Sequence, residues 1–427
     1  MKYSARLKNE TIYQIYVRNH TSEGTLRALE ADLGRLKDLG VSILYLLPIN
    51  PIGEIERKGT LGSPYSIKDY YAINPELGTL DDFKHFLGKA HAQGFKVMLD
   101  VVLNHTSRDA VLVKEHPEFY YYKDGKLANR IGDWSDIADL RLDLEPVRVY
   151  LIDMLKYWVK LGVDGFRCDV APLIPLEFWK RVISECNAIN DNLIWLSESI
   201  EPEFIKYLRS EGYVGHSDPE MFQAFDILYD YDVYPALKTY LLKDGDLKAY
   251  LRLVRTQEYI YPHDYLKLHF LENHDQQRIA AIVKNDTVLR NLTAWSFFQN
   301  GVGFIYAGQE TKNVKTPSLF DKQAIDLSIK DQSFYDFIKK LIAIKKYPCF
   351  ASVRRFDIID HLQLDLIVAK LTSDDKVIFG LFNTAKHERQ VYVPMDDGIY
   401  VDLISGKHVI VDHGILTLKE PLFLKAA

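Results

Sequence analysis

Three carboxylates close apolar runs. Asp169 ends Gly165-Phe-Arg-Cys-Asp169, Glu198 ends Trp195-Leu-Ser-Glu198, and Asp275 ends Phe270-Leu-Glu-Asn-His-Asp275. Arg167 lies two residues before Asp169, so on an extended chain the two side chains share a face. His274 precedes Asp275, and His105 ends a fourth such run, Leu99-Asp-Val-Val-Leu-Asn-His105. These residue types suit the cleavage of a glycosidic bond, where positive charge builds on the sugar ring and negative charge on the leaving oxygen. One carboxylate can attack or stabilise the ring carbon while a second, still protonated, donates to the leaving group. Arg167 would keep the nucleophile ionised, because an adjacent cation lowers a carboxyl pKa. Clustering and burial would raise the pKa of the acid. Each residue alone has a plainer reading: a lone acid at a strand end is usually a helix cap or salt-bridge partner, Arg167 an ion-pair residue, and either histidine a satisfied polar group. The recurrence of all six at matching exits favours the chemical reading.

Those exits must be brought to one place. Eight strand-like runs are present: Ile12–Val17, Ile43–Leu47, Lys96–Leu103, Asp164–Val170, Leu193–Ser197, Gln223–Leu228, Leu266–Leu271 and Gly303–Tyr306. They alternate with helical patterns such as Leu26–Leu39, Leu80–Gln93, Val147–Leu161 and Asp286–Gln299. Such alternation builds a parallel sheet from β/α units. Eight units predict a (β/α)8 TIM barrel over residues 1–103 and 147–345, with an open doubly wound sheet as the alternative. In a barrel, catalytic groups sit at the C-terminal ends of the strands, where these residues lie. Residues 104–146 separate the third strand from its helix, and a stretch that long with weak periodicity is usually functional. From 350 to 427, short alternating segments (Leu366–Leu371, Val377–Phe382, Arg389–Val393, Gly398–Asp402 and Ile415–Leu418) predict a small antiparallel β-domain.

Composition excludes several classes of function. The chain has 427 residues, of which 47% are hydrophobic and 26% charged, as in an ordinary globular protein. Its net charge of −6, with Lys and Arg dispersed, argues against nucleic acid. No apolar run approaches the roughly 20 residues of a membrane helix, and the opening residues carry no signal-peptide pattern, so no membrane association is expected. Three cysteines, Cys168, Cys186 and Cys349, have no metal-binding spacing and fit a reducing compartment. A cytoplasmic location is therefore expected. The glycines of Gly301-Val-Gly-Phe-Ile-Tyr-Ala-Gly308 do not have the spacing of a nucleotide loop.

Taken together, Gln14-Ile-Tyr-Val-Arg18, Leu39–Pro48, Asp100–His105, Gly165–Asp169, Leu196-Ser-Glu198, Asn273-His-Asp275 and Gly301–Gly308 resemble, in order, the signature segments of glycoside hydrolase family 13, the α-amylase family. The resemblance implies Asp169 as nucleophile, Glu198 as general acid/base and Asp275 as transition-state stabiliser. It implies that Arg167, His105 and His274 bind or orient the attacked sugar. It also implies that Tyr65, in Gly62-Ser-Pro-Tyr65, forms the aromatic platform beneath that sugar. Residues 104–146 would be a short domain B and the C-terminal segment a β-sandwich domain C. The implied activity is retaining hydrolysis of α-linked gluco-oligosaccharides of maltodextrin or starch type. A transglycosylase using the same residues is the alternative, and a catalytically inactive amylase-like scaffold a remote one. No cofactor is required by this chemistry. Asn104 and Asp139 match positions that ligate a structural calcium, but Pro172-Leu173 stands where calcium-dependent relatives carry Lys-His. Two oxygen ligands also fall short of the roughly six to eight that calcium takes.

Overall fold

A computed structural model describes residues 7–132, 134–243, 245–374 and 376–426. The first six residues, on which the reading of an absent leader rests, lie outside the described ones. Eight parallel strands, β1 (Thr11–Ile15), β2 (Ile43–Leu46), β3 (Lys96–Val101), β4 (Gly165–Cys168), β5 (Ile194–Ser197), β6 (Ile227–Tyr229), β7 (Lys267–Leu268) and β8 (Gly301–Tyr306), form a closed barrel in which each neighbours the next and β8 returns to β1. Nearly every strand residue is buried. Both faces of a barrel strand are covered, one by the interior and one by helices, which is why the runs read as continuously apolar rather than alternating. The β3/β4 register sets Asp100 beside Arg167, and the β4/β5 register sets Arg167 beside Leu196 and Cys168 beside Ser197. Gly165 is needed for that last pairing, since a Cβ there would lie 2.5 Å from the Ile194 carbonyl oxygen.

The sequence pattern and the structure part company at several element boundaries. Leu26–Leu39 is two helices, α1 (Leu26–Ala31) and α2 (Leu33–Leu39), broken at Asp32. The Asp32 carboxylate accepts from Arg35 and pairs with His20 at 2.7 Å, which anchors the break. The sixth strand begins at Ile227 rather than Gln223, because Asp218–Met221 forms a helical turn closed by a Ser217/Glu220 capping box. The remaining principal helices are α3 (Leu80–Ala92), α4 (Glu145–Lys160), α5 (Leu176–Asn187), α6 (Pro202–Ser210), α7 (Tyr234–Lys243), α8 (Leu247–Ile260), α9 (Asp286–Phe298) and α10 (Gln332–Lys345). Between β3 and α4, His105–Ser107 pairs antiparallel with Ile137–Asp139, and Tyr122–Lys123 pairs with Lys126–Leu127.

The chain divides into two compact units: Tyr13–Tyr229 with Pro317–Ile325, and Met1–Ile12 with Asp230–Thr316 and Asp326–Ala427. The second unit carries the C-terminal strands β9 (Arg355–Ile358), β10 (Leu366–Thr372), β11 (Val377–Asn383), β12 (Arg389–Tyr392), β13 (Gly398–Asp402), β14 (His408–Val411), β15 (Ile415–Leu418) and β16 (Leu422–Ala426). Six of them form an antiparallel sheet in the order β9-β10-β11-β16-β13-β14, and β12 pairs with β15. Leu366, Val368 and Leu381 from the larger sheet pack with Val391, Leu416 and Leu418 from the smaller pair. Strands β9, β14 and β16 go beyond the sequence expectation. Within this unit Phe298 at the end of α9 contacts the rings of Phe350, Phe356, Phe382 and Phe423 at centroid distances of 4.9–6.2 Å.

Phe298 is fully buried, so Phe298→Ala is expected to remove about 3–5 kcal/mol of stability. Urea unfolding of the variant should show the midpoint fall accordingly, whereas a loss under about 1 kcal/mol would mean that the cluster repacks.

Candidate active site

Strand β4 alternates, so Phe166 and Cys168 face one side and Arg167 the other. Arg167 is wholly buried, and a buried guanidinium must be paired. Its Nη1 donates to Asp100 Oδ1 at 2.9 Å and to Asp169 Oδ1 at 2.7 Å. Its Nη2 lies 2.5 Å from Glu198 Oε1, a close contact of opposite charges rather than a well-directed hydrogen bond. The rings of Tyr65 and Tyr229 approach the guanidinium to 5.7 Å. Asp100 Oδ2 accepts from the hydroxyls of Tyr45 at 2.6 Å and Tyr65 at 3.0 Å. Glu198 Oε2 accepts from the Val170 N–H at 2.7 Å. Val170 has φ of 37°, a left-handed conformation that is strained for a β-branched residue. The strained peptide aims its N–H at Glu198, directly after Asp169.

Three carboxyls thus surround one guanidinium. Burial, and next the charge of Glu198, push Asp169 upward. Burial lifts Asp100 to about 6 against the pull of Arg167. Burial alone would lower the pKa of Arg167, but the charges of Asp100 and Glu198 outweigh it and raise the value, so the guanidinium stays charged. Asp169 and Asp100 thus keep their protons to higher pH than isolated carboxyls do.

The other expected site residues follow β3 and β7. His105 is buried, and that burial depresses its pKa and keeps the imidazole neutral. Its ring lies 6.0 Å from that of Trp134. His274 and Asp275 follow β7 in the second compact unit, with His274 Nε2 3.1 Å from Asp275 Oδ2. The Asp275 side chain is 41% exposed, open to a ligand. Its N–H donates to Asn273 Oδ1 at 2.9 Å, and Asn273 Nδ2 donates to Tyr231 Oη at 3.0 Å. The same segment is pinned by a buried pair, Arg278 Nη1 to Glu272 Oε1 at 2.6 Å, with Arg278 Nη2 donating to the Ala307 carbonyl.

Residues 3–130 and 131–336 match the model of the α-amylase catalytic domain, and residues 358–423 that of the bacterial α-amylase C-terminal domain. The chain belongs to the α-amylase family. The crystal structure of an α-amylase from Lactobacillus plantarum superposes over 99% of this chain and 100% of its own, at TM-score 0.94 and 41% identity. The α-amylase MalA of Haloarcula japonica is 29% identical over 71% of this chain and 44% of its own length. The α-1,4-glucan:maltose-1-phosphate maltosyltransferase of Arcanobacterium haemolyticum is 35% identical over 45% of this chain and 31% of its own. The chain therefore spans less than half the length of these two curated relatives.

The two residues considered for a structural calcium do not offer a calcium donor set. Asp139 Oδ2 accepts from the Arg130 N–H at 2.8 Å and from Arg130 Nε at 3.1 Å. The other oxygen, Oδ1, lies 3.5 Å from Asn104 Nδ2. A guanidinium already neutralises the carboxylate, and an amide N–H, not an oxygen, faces it from Asn104. This donor set does not fit a hard cation that takes oxygen ligands.

Sequence reading assigned no role to Asp100, Tyr45, Val170 or Trp134. Asp100 had a signal: a carboxylate in the middle of the apolar run Lys96–Leu103 must find a cation once buried. Val170 and Trp134 had none, because strain and proximity across an insertion emerge only on folding.

Two measurements test this geometry. The pH profile of kcat/KM should rise from acid pH as the Asp169 carboxyl, pushed up by burial, ionises. Asp100→Asn removes one negative neighbour of Asp169, lowers the pKa of that carboxyl and moves the acid limb, set by its ionisation, to lower pH; an unmoved acid limb would contradict the charge coupling. Dialysis against EDTA should leave both Tm and activity unchanged, while a fall in either that only calcium restores would show that the Arg130–Asp139 pairing is not the resting arrangement.

Proposed function

We propose that this protein is a retaining α-glycosidase that hydrolyses α-linked gluco-oligosaccharides of maltodextrin or starch type. The observation that carries the reading is the seating of Asp169 and Glu198 on adjacent nitrogens of one buried guanidinium. Two carboxyls on one small planar group sit close together, as retention requires at about 5–5.5 Å, rather than with the gap of about 6.5–9.5 Å that admits water for inversion.

Asp169 attacks the anomeric carbon while Glu198 gives its proton to the glycosidic oxygen; the bond to the leaving sugar breaks and a glycosyl ester of Asp169 forms. Water then enters, loses a proton to Glu198 and attacks the same carbon, which frees Asp169 and leaves the α-configuration. Asp275 stabilises the positive charge on the ring in the transition state. His105 and His274 bind sugar hydroxyls, and the half-buried ring of Tyr65 lies under the pyranose. Trp134, beside His105, adds a second aromatic wall.

Transfer to a sugar instead of water uses the same residues, and the likeness to a maltosyltransferase over 45% of the chain supports that second reading. The choice rests on what reaches the ester. An inactive scaffold is disfavoured, since the three carboxylates and Arg167 are all retained. No helix among the described residues is long and apolar enough to cross a membrane. Three buried cysteines that form no disulfide with one another support a reducing, cytoplasmic location, and the net charge of −6 disfavours a nucleic-acid partner.

The first products formed from a well-hydrolysed oligosaccharide, read by proton NMR before mutarotation, should carry the α-anomer; a β-anomer appearing first would remove Asp169 as nucleophile. Asp169→Asn should abolish turnover. Glu198→Gln should slow a natural substrate by about 10²–10⁴-fold, and a substrate with an activated leaving group far less in its first step.

A further inference from the structure

Within the second compact unit, a cavity of about 360 Å³ opens at the start of β7 and β8. It is lined by the end of α8, the turn leading into β7, Asn300 immediately before β8, and β9. β9 is an edge strand of the six-stranded sheet. His274 and Asp275 follow the other end of β7, so the cavity lies at the opposite end of that strand from them.

We propose that this cavity is a second binding site for an α-glucan chain, which holds a neutral glucosyl segment away from the reacting bond. The inference rests on the α-glucan reading above. Its size falls within the roughly 300–1,000 Å³ of small-molecule sites. Tyr259 stands at its rim with 74% of its surface exposed, and a flat uncovered ring suits the apolar face of a pyranose.

The lining is of mixed sign. Glu258 accepts from the Tyr265 hydroxyl at 2.6 Å, Arg355 Nε lies 2.8 Å from Asp357, and Arg354 pairs with Asp374. Glu258 and Asp357 balance Arg354 and Arg355, so no single-sign field attracts a phosphorylated or polyacidic ligand. Sugar hydroxyls both donate and accept and can use either kind of group. In the floor, Asn300 is 6% exposed and its Oδ1 has no donor.

The test is hydrogen–deuterium exchange of the Asp169→Asn protein with maltoheptaose. Protection is expected over residues 258–263 and 353–357 as well as over the segments that carry Tyr65 and Glu198. Adding Tyr259→Ala should weaken binding at the first pair about tenfold and leave the second pair unaffected. In the otherwise native enzyme, Tyr259→Ala should preserve kcat/KM on maltotriose and cut the rate on soluble starch severalfold. Protection of the catalytic segments alone, or equal effects on the two substrates, would overturn the second site. Protection at neither place would overturn the α-glucan reading itself and the second site with it.

Discussion

Arg167 is wholly buried on β4, and a guanidinium cannot shed its proton to escape the cost of that burial. It must be neutralised from neighbouring strands, and the barrel registers supply the means. Asp100 is its direct neighbour on β3, Asp169 follows β4 itself, and Glu198 follows β5. A buried ion pair gains little stability over an apolar replacement of the same shape, yet losing one partner costs about 3–5 kcal/mol. Such a cluster is therefore poor as a stabiliser and effective as a locator. The strain at Val170 belongs with it: the left-handed turn costs on the order of 1–3 kcal/mol and gives Glu198 a second fixed contact.

The segment after β7 uses the same logic in its own unit. Glu272 and Arg278 are fully buried and paired, and Glu272 Oε2 also accepts from the Ile279 N–H at 2.6 Å. The ring of Tyr306 lies 4.1 Å from the Arg278 guanidinium. Between these anchors the chain carries Asn273, His274 and Asp275. The Asp275 N–H donates to Asn273 Oδ1, and its carboxylate, partly exposed, lies 3.1 Å from His274 Nε2. A group with a fixed stem and a partly exposed head can meet a charge developing on a substrate.

Much of this was legible in the sequence, for a physical reason. Barrel strands are buried on both faces, so they leave apolar runs with abrupt polar ends, and Asp169, Glu198 and Asp275 stand at those ends. The pairing of Arg167 with Asp169 followed from period-two alternation alone. Less legible were elements governed by side chains competing for the backbone. Asp32 splits a helix whose apolar pattern runs through it, and the turn that follows the Ser217/Glu220 box runs on through Gln223 and Ala224, where a strand was expected to start. β9 escaped notice because Arg-Phe-Asp-Ile is short and half exposed. At Asn104 and Asp139 the donor set turns on a third residue, Arg130, which lies in the insertion where sequence gives no register.

The count of charges around Arg167 also bears on how the proposed reaction proceeds. That reaction needs Asp169 as the attacking carboxylate and Glu198 as the proton donor. Once the ester forms, Asp169 is neutral and Glu198 has become the carboxylate. The sum of charge facing the guanidinium is the same in both states; it has moved from the partner of Nη1 to the partner of Nη2. A buried environment penalises a change in net charge far more than a transfer of charge between two contacts on one delocalised cation. The Val170 N–H favours the later state, because it donates to Glu198 and stabilises the carboxylate that glycosylation creates. Asp100 takes no part in the transfer and keeps its contact with Nη1 throughout, so the cation does not follow the moving charge. On this view the barrel fixes one charge in a dry site and lets the chemistry redistribute its partners, with little reorganisation of the protein between the two half-reactions.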